Sequence, residues 1–293
     1  MPLSTLYTRS FGLSFELFPP KSEAGEAALF QNLAELMAFR PSFVTCTYGA
    51  GGSTREKTLD IVSEVRRRHN CPVASHLTCV GSTADELRSY LREAWRRGVE
   101  NIVALRGDPP KGETTFQAVA GGLRYANELV SLIRAEFPQF GIAVAGYPET
   151  HQEAPNADVD LQNLQRKVEA GADVVVTQLF YDNADFFRFR DRCHALNIRV
   201  PIVPGILPVT NFAQIQRITS LCKAKLPARF VADLAAQGDN EVGQFEVGVA
   251  FATQQVQELL DAGVPGVHFY ILNKSHATAR VLQAVKLPNG PPV

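Results

Sequence analysis

Eight short apolar runs punctuate the chain, at residues 13–18, 43–47, 73–77, 101–105, 142–146, 174–178, 202–206 and 266–270, and a helix-like segment follows each. The first run, Leu13 to Phe18, alternates and then stops at Pro19-Pro20, which cannot continue a ladder. The helix after it extends from about Glu23 to Phe39, with Leu29, Leu33, Leu36 and Met37 at helical spacing. Ser53 with Glu56, and Thr83 with Glu86, have capping-box spacing and open helices that end at His69 and Gly98. Further helices are expected before Pro138, over 158–170, from about 183 to 196 and over 211–221, with an extra one inside 224–240. A long helix then carries Phe245, Val249, Ala252, Val256 and Leu259 in 4-3-4-3 spacing, and a last one starts near Ser275.

Strands alternating with helices call for a parallel sheet covered on both faces. Eight such units favour an α/β fold of the single (β/α)8 TIM-barrel kind over an open doubly wound sheet. No Gly-x-Gly-x-x-Gly follows the first strand and no Gly-x-x-x-x-Gly-Lys-Ser/Thr occurs, so nothing requires the open nucleotide-binding layout. No linker divides the chain, and residues 1–293 are expected to form one domain. Closure would bring the polar ends of all eight runs to one mouth, where barrels of this kind keep their chemistry.

Composition narrows the classes. A 45% hydrophobic content supports a full core, and a net charge of −1 gives no pull toward nucleic acid or an anionic membrane. No stretch approaches the roughly 20 apolar residues of a membrane helix. Met1 to Ser10 lacks the basic region and apolar stretch of a secretory signal, so a cytoplasmic protein is expected. Five scattered cysteines without a Cys-x-x-Cys pair read as reduced thiols, and no histidine pair has zinc spacing, so no metal is expected.

Among the strand-end residues, Glu16 sits between Phe15 and Leu17 in a strand that should be buried. Burial should raise its pKa and suit it to general acid work, the alternative being a structural carboxylate paired with a lysine or arginine. Asp108 follows Arg106-Gly107, where glycine permits close backbone approach and arginine can pair with phosphate; a turn aspartate is the competing reading. Gln178 offers the donor and acceptor that a heterocyclic amide edge needs. Thr47, Tyr48 and His76 could contact a flat ring. Asp160, Asn163 and Lys167 share one helix face, which spacing alone reads as solvated.

In order, the strings Phe15-Glu16-Leu17-Phe18-Pro19-Pro20, Val44-Thr45-Cys46-Thr47-Tyr48-Gly49-Ala50, His76-Leu77-Thr78-Cys79, Ile102 to Asp108, Tyr147-Pro148-Glu149 with His151, Arg166-Lys167, Thr177-Gln178, Pro204 to Pro208 and His268 to Asn273 resemble the methylenetetrahydrofolate reductase family, in its short bacterial form. They cover almost the whole chain. The resemblance implies a barrel with non-covalent FAD, reduced by NADH or NADPH, after which 5,10-methylenetetrahydrofolate takes the same site and leaves as 5-methyltetrahydrofolate for methionine synthesis. Glu16 then matches the acid that opens the imidazolidine ring, Asp108 the carboxylate beside the flavin, and Gln178 a substrate-orienting amide.

The matching FAD contacts are Thr47, His76, Arg106, Gly107, Asp108, Tyr125, Ala126, Gly146, Tyr147, His151, Asp160, Asn163 and Lys167. Gln214, Tyr270 and Lys274 match the substrate side, with lysine standing where members often have arginine. A homo-oligomer, dimer or tetramer, is implied, without the large regulatory domain of the animal enzymes. The rival readings are a flavin barrel of the proline dehydrogenase kind, a flavin-free folate-binding barrel that transfers a methyl group, and a non-catalytic metabolite-binding scaffold.

Overall fold

A computed structural model describes residues 3–48, 54–109, 112 and 115–288. All nine strand segments are parallel: β1 (Gly12–Leu17), β2 (Phe43–Cys46), β3 (Val73–Thr78), β4 (Asn101–Leu105), β5 (Gly141–Gly146), β6 (Val174–Thr177), β7 (Ile202–Val203), β8 (Gly205–Ile206) and β9 (Gly266–Tyr270). The hydrogen-bonded order is β7-β6-β5-β4-β3-β2-β1-β9-β8. Its two ends, β7 and β8, are halves of the seventh expected strand, split at Pro204, which has no N–H for a ladder. The sheet therefore closes on itself. The expected run 202–206 is interrupted but present, and the remaining strands lie within a residue of their expected bounds.

The helices are α1 (Leu3–Arg9), α2 (Glu23–Leu36), α3 (Arg55–His69), α4 (Ala84–Arg96), α5 (Ala126–Glu136), α6 (Ala157–Glu169), α7 (Asn183–Ala195), α8 (Phe212–Cys222), α9 (Ala228–Ala235), α10 (Glu241–Asp261) and α11 (His276–Ala284). Thr83 and Glu86 form the expected capping box on α4. The Ser53 cap and Gly49-Ala50 lie outside the described residues. At the end of α2 the expected helix tightens into a 3-10 turn, Met37–Phe39, before Arg40 turns left-handed.

Period-two alternation sorts the strand side chains. Leu13, Phe15, Leu17, Val44, Cys46, Ile102, Val144, Val267 and Phe269 join the layer between strands and helices. Phe43, Ala74, Val103, Ala143, Val174, Val176 and Val203 form a separate cluster with Leu3 and Tyr7 of α1. That second cluster is the barrel interior, and α1, which the sequence reading left unassigned, closes its floor. The Tyr7 ring lies so close to Gly12 and Gly266 that a Cβ at either would come within 2.7 Å of it. Ser14, Glu16, His76 and His268 alternate with outward-facing neighbours and so face inward with this cluster, toward the carboxyl ends of the strands.

Candidate functional site at the barrel mouth

Three inward side chains, from β1, β3 and β9, meet above the apolar interior. Strand register pairs Glu16 with Thr45 and Tyr270, and Thr45 with Ala74, which brings β1, β3 and β9 to one level. His76 Nε2 lies 3.1 Å from a Glu16 carboxylate oxygen, and His268 Nε2 lies 3.5 Å from the same oxygen. Behind them, Ser14 Oγ is 2.8 Å from His268 Nδ1. Neither ring nitrogen of buried His76 has a well-directed hydrogen bond, and the 3.1 Å approach of its Nε2 to the Glu16 carboxylate is its nearest polar contact in the cluster.

This geometry corrects the expectation for Glu16. Burial by itself would raise the carboxyl, but His76 and His268 together outweigh that and hold it at about 2, against an ordinary 4.5. Glu16 is therefore a carboxylate at neutral pH, flanked by two imidazoles. The structural alternative, a lysine or arginine partner, is also replaced by the two histidines. From sequence, His268 is only a strand-end residue without metal spacing, and Ser14 carries no signal of its own. Alternation from Glu16 would have pointed to Ser14; nothing local foretold the meeting of His76 and His268. Among the described residues, no cluster of histidine, cysteine, aspartate or glutamate could hold a metal ion.

A cavity of about 1360 Å³ opens at the ends of β4 and β5, against the start of α5 and along α6. Arg106, Tyr125, Ala126, Tyr147, His151, Asp160, Asn163 and Lys167 all line it. The polar face of α6 is thus a cavity wall, where spacing alone reads a solvated face. Phe116 and Glu153 line it too and were not singled out from sequence, and Arg166, quoted there only within a matching string, lines it as well. Lys167 donates to the Ala145 carbonyl at 2.5 Å, and burial lowers its ammonium to about 8. Burial and the nearby Asp160 and Asp108 raise the Tyr147 phenol.

The other expected residues are placed around the rim. Gly107 adopts φ of +87°, where an L side chain is strained, and a Cβ there would meet Val80 at 2.7 Å. Asp108 is exposed, close enough to influence both Arg106 and Tyr147. Gly146 offers only backbone: a Cβ there would strike Val175 and Phe189. Thr47 is half-buried, its carbonyl accepting from Thr58 at 2.9 Å. Gln178 uses its own Oε1 to accept from the Leu179 N–H at 2.9 Å. Tyr270 spans the split seventh strand, its hydroxyl donating to the Thr177 carbonyl at 2.7 Å, and burial with the charge of Glu16 raises its phenol. Gln214 and Lys274 are exposed, on α8 and on the turn after β9.

The donor set fits FAD. Arg106, Arg166 and Lys167 offer positive charge for a pyrophosphate. The α5 N-terminus at Tyr125 has no side-chain cap, leaving backbone N–H groups for an anion. The volume exceeds the roughly 300–1,000 Å³ of ordinary small-molecule pockets and suits an elongated ligand.

Eight parallel strand positions closed into a barrel, with a polar cluster and a large cavity at their carboxyl ends, define a (β/α)8-barrel protein with a ligand site in the usual place for that fold. Within that class, the chain belongs to the methylenetetrahydrofolate reductase family, whose profile matches residues 4–286. It is 38% identical over 278 residues to the 5,10-methylenetetrahydrofolate reductase of Escherichia coli K12, covering 95% of this chain and 92% of that one. It is 39% identical over 284 residues to methylenetetrahydrofolate reductase (NADH) 1 of Arabidopsis thaliana, covering 94% of this chain. The chain spans about half, 48%, of that plant relative's length. Among solved structures, a Clostridium thermocellum protein described as binding two copies of 5-methyl-5,6,7,8-tetrahydrofolic acid superposes with a TM-score of 0.61, covering 97% of this chain and 98% of its own. At 15% identity that likeness shows the barrel fold alone.

Proposed function

We propose that this chain, acting as a single catalytic domain, reduces 5,10-methylenetetrahydrofolate to 5-methyltetrahydrofolate with electrons from NADH or NADPH, the two substrates using one FAD site in turn. Arg106, Arg166, Lys167, Asp160 and Asn163 would hold the cofactor along the cavity wall. Bound FAD supplies the hydride relay between nicotinamide and folate. The chain's own contribution is to orient the pterin from the rim and to deliver a proton. Family membership supports the reaction, and the observation that carries the site reading is that Glu16, His76 and His268 converge at the same end of the barrel as a cavity lined by Arg106, Arg166 and Lys167.

Because Glu16 is ionised among imidazoles, the acid is the cluster rather than an isolated carboxyl. A proton reaching the folate through Glu16 must first be taken up by that carboxylate, which His76 and His268 flank, and Ser14 fixes the His268 ring. As a cytoplasmic homo-oligomer the protein would feed methyl groups to methionine synthesis. The test is an anaerobic spectral series on purified protein. Flavin absorbance should be present, bleach on addition of a reduced nicotinamide, and return on addition of methylenetetrahydrofolate. A colourless protein that FAD cannot load would favour the methyl-transfer barrel. Return of colour with an oxidised proline-type acceptor but not with the folate would favour the proline dehydrogenase kind.

A further inference from the structure

We propose that Glu153 is a positioning residue for Arg106, and that it holds that arginine across the cavity only while His151 is neutral. The inference rests on the reading of the cavity as the FAD site.

Arg106 has five N–H donors in a fixed fork. Its Nη1 and Nη2 donate to the two Glu153 carboxylate oxygens at 2.5 and 2.7 Å, and its Nε donates to the Gly107 carbonyl at 3.2 Å. The guanidinium also stands 5.1 Å from the centre of the Phe116 ring. Three donors are thus occupied and two remain for a ligand. An arginine held this way has already given up most of its rotamer freedom before anything binds.

Glu153 is itself held by one ring nitrogen. Its backbone N–H donates to His151 Nδ1 at 3.1 Å, while the His151 backbone N–H donates to the Asp160 carboxylate at 2.9 Å and the His151 carbonyl accepts from the Ala154 N–H at 3.0 Å. The His151 ring meets Tyr147 edge to face at 4.6 Å. The turn before it includes Thr150 at φ of 92°, which a β-branched residue rarely adopts, and its N–H donates to the Tyr147 carbonyl at 3.2 Å. An accepting Nδ1 places the ring hydrogen on Nε2. A second proton would sit on Nδ1 and face the Glu153 N–H, donor against donor.

The groups facing His151 are Arg106 after β4, Tyr147 at the end of β5, Glu153 on its own loop, and Asp160 and Lys167 on α6. Burial, Arg106 and Lys167 favour the neutral ring, Asp160 and Glu153 oppose them, and the balance lies below the ordinary 6.5. The contact is therefore intact at neutral pH and is lost as the pH falls below that value.

FAD affinity, read by quenching of its fluorescence from about pH 7.5 down to about 5.5, should weaken about tenfold toward acid. Simple attraction between a charged imidazole and the pyrophosphate would do the reverse. Glu153→Gln should bind FAD more weakly at neutral pH and lose the acid-induced weakening. His151→Asn keeps an acceptor for the Glu153 N–H but cannot titrate, and its affinity profile should be flat. In protein without FAD, amide exchange at Glu153 relative to its intrinsic rate should rise in acid for the unaltered chain and not for His151→Asn. FAD that binds equally or more tightly in acid, or Glu153→Gln that binds more tightly at neutral pH, would overturn the proposal and leave the cavity reading intact. Failure to bind FAD at any pH would overturn the cavity reading, and the exchange measurement would still decide whether His151 governs the loop.

Discussion

Replacing Glu16 by glutamine removes the charge that His76 and His268 were assembled around, and the cost can be worked out from the carboxyl's displacement. Lowering from 4.5 to about 2, with each pH unit worth about 1.4 kcal/mol, corresponds to about 3 kcal/mol of favourable interaction with the ionised form. The side chain is 20% exposed, which keeps screening small, and sharing among three groups trims the figure to about 2–3 kcal/mol. The sign follows from the direction of the displacement. A carboxyl lowered by folding stabilises the folded state fully above its unfolded value, and that contribution drains away as the pH falls toward its folded value. Urea unfolding should therefore place Glu16→Gln about 2–3 kcal/mol below the unaltered chain at pH 7. The gap should narrow progressively below about pH 4.5, where the unfolded chain's Glu16 takes up its proton. A Glu16→Gln protein as stable as the parent at pH 7, or more stable, would refute the reasoning. It would show that the imidazoles do not compensate the burial of this charge.

Two further outcomes follow from the same geometry. Gly205→Ala would place a Cβ 2.2 Å from the Thr177 carbonyl oxygen and 2.7 Å from the Tyr270 ring, at the point where the barrel closes. Overpacking and loss of the Tyr270–Thr177 hydrogen bond should together cost about 2–4 kcal/mol by chemical denaturation, whereas a neutral result would mean that the seventh strand is not pinned there. Lys167, lowered to about 8 by burial, must be charged to serve a pyrophosphate, so FAD binding should draw in a proton above that pH. Affinity should fall up to about tenfold per pH unit beyond 8, and Lys167→Met should bind weakly with no such fall; a wild-type affinity level through this range would remove the assigned role.

Much of the barrel was readable because each level of the chain agreed with the next. Alternation, proline stops and caps marked the strands and helices, and repetition of the unit eight times implied closure. Helix α1 escaped notice because Leu3 and Tyr7 are too few to set a period; their partners Phe43, Ala143 and Val174 come from distant strands. The split at Pro204 was visible as a proline but not as an interruption, since Gly205 and Ile206 resume pairing with β9. At the mouth, the identity of Glu16 was legible, but its charge state was not. A sequence window shows Phe15 and Leu17 as neighbours, which argue for a raised pKa, yet on a strand those two point outward. The groups that set the carboxyl arrive from positions 76 and 268. The α6 face and Glu153 were hidden for a related reason: polar residues on a helix or loop look solvated until the cavity they line is known.

The most direct trial of the central claim separates the two half-reactions in Glu16→Gln. Loaded with FAD and followed anaerobically, this variant should be bleached by NADH at close to the parent rate. It should then be reoxidised by methylenetetrahydrofolate about 10²–10⁴-fold more slowly, the range expected for loss of a general acid. Equal slowing of both half-reactions, or undiminished folate reduction, would contradict the assignment of the Glu16 cluster as the proton source.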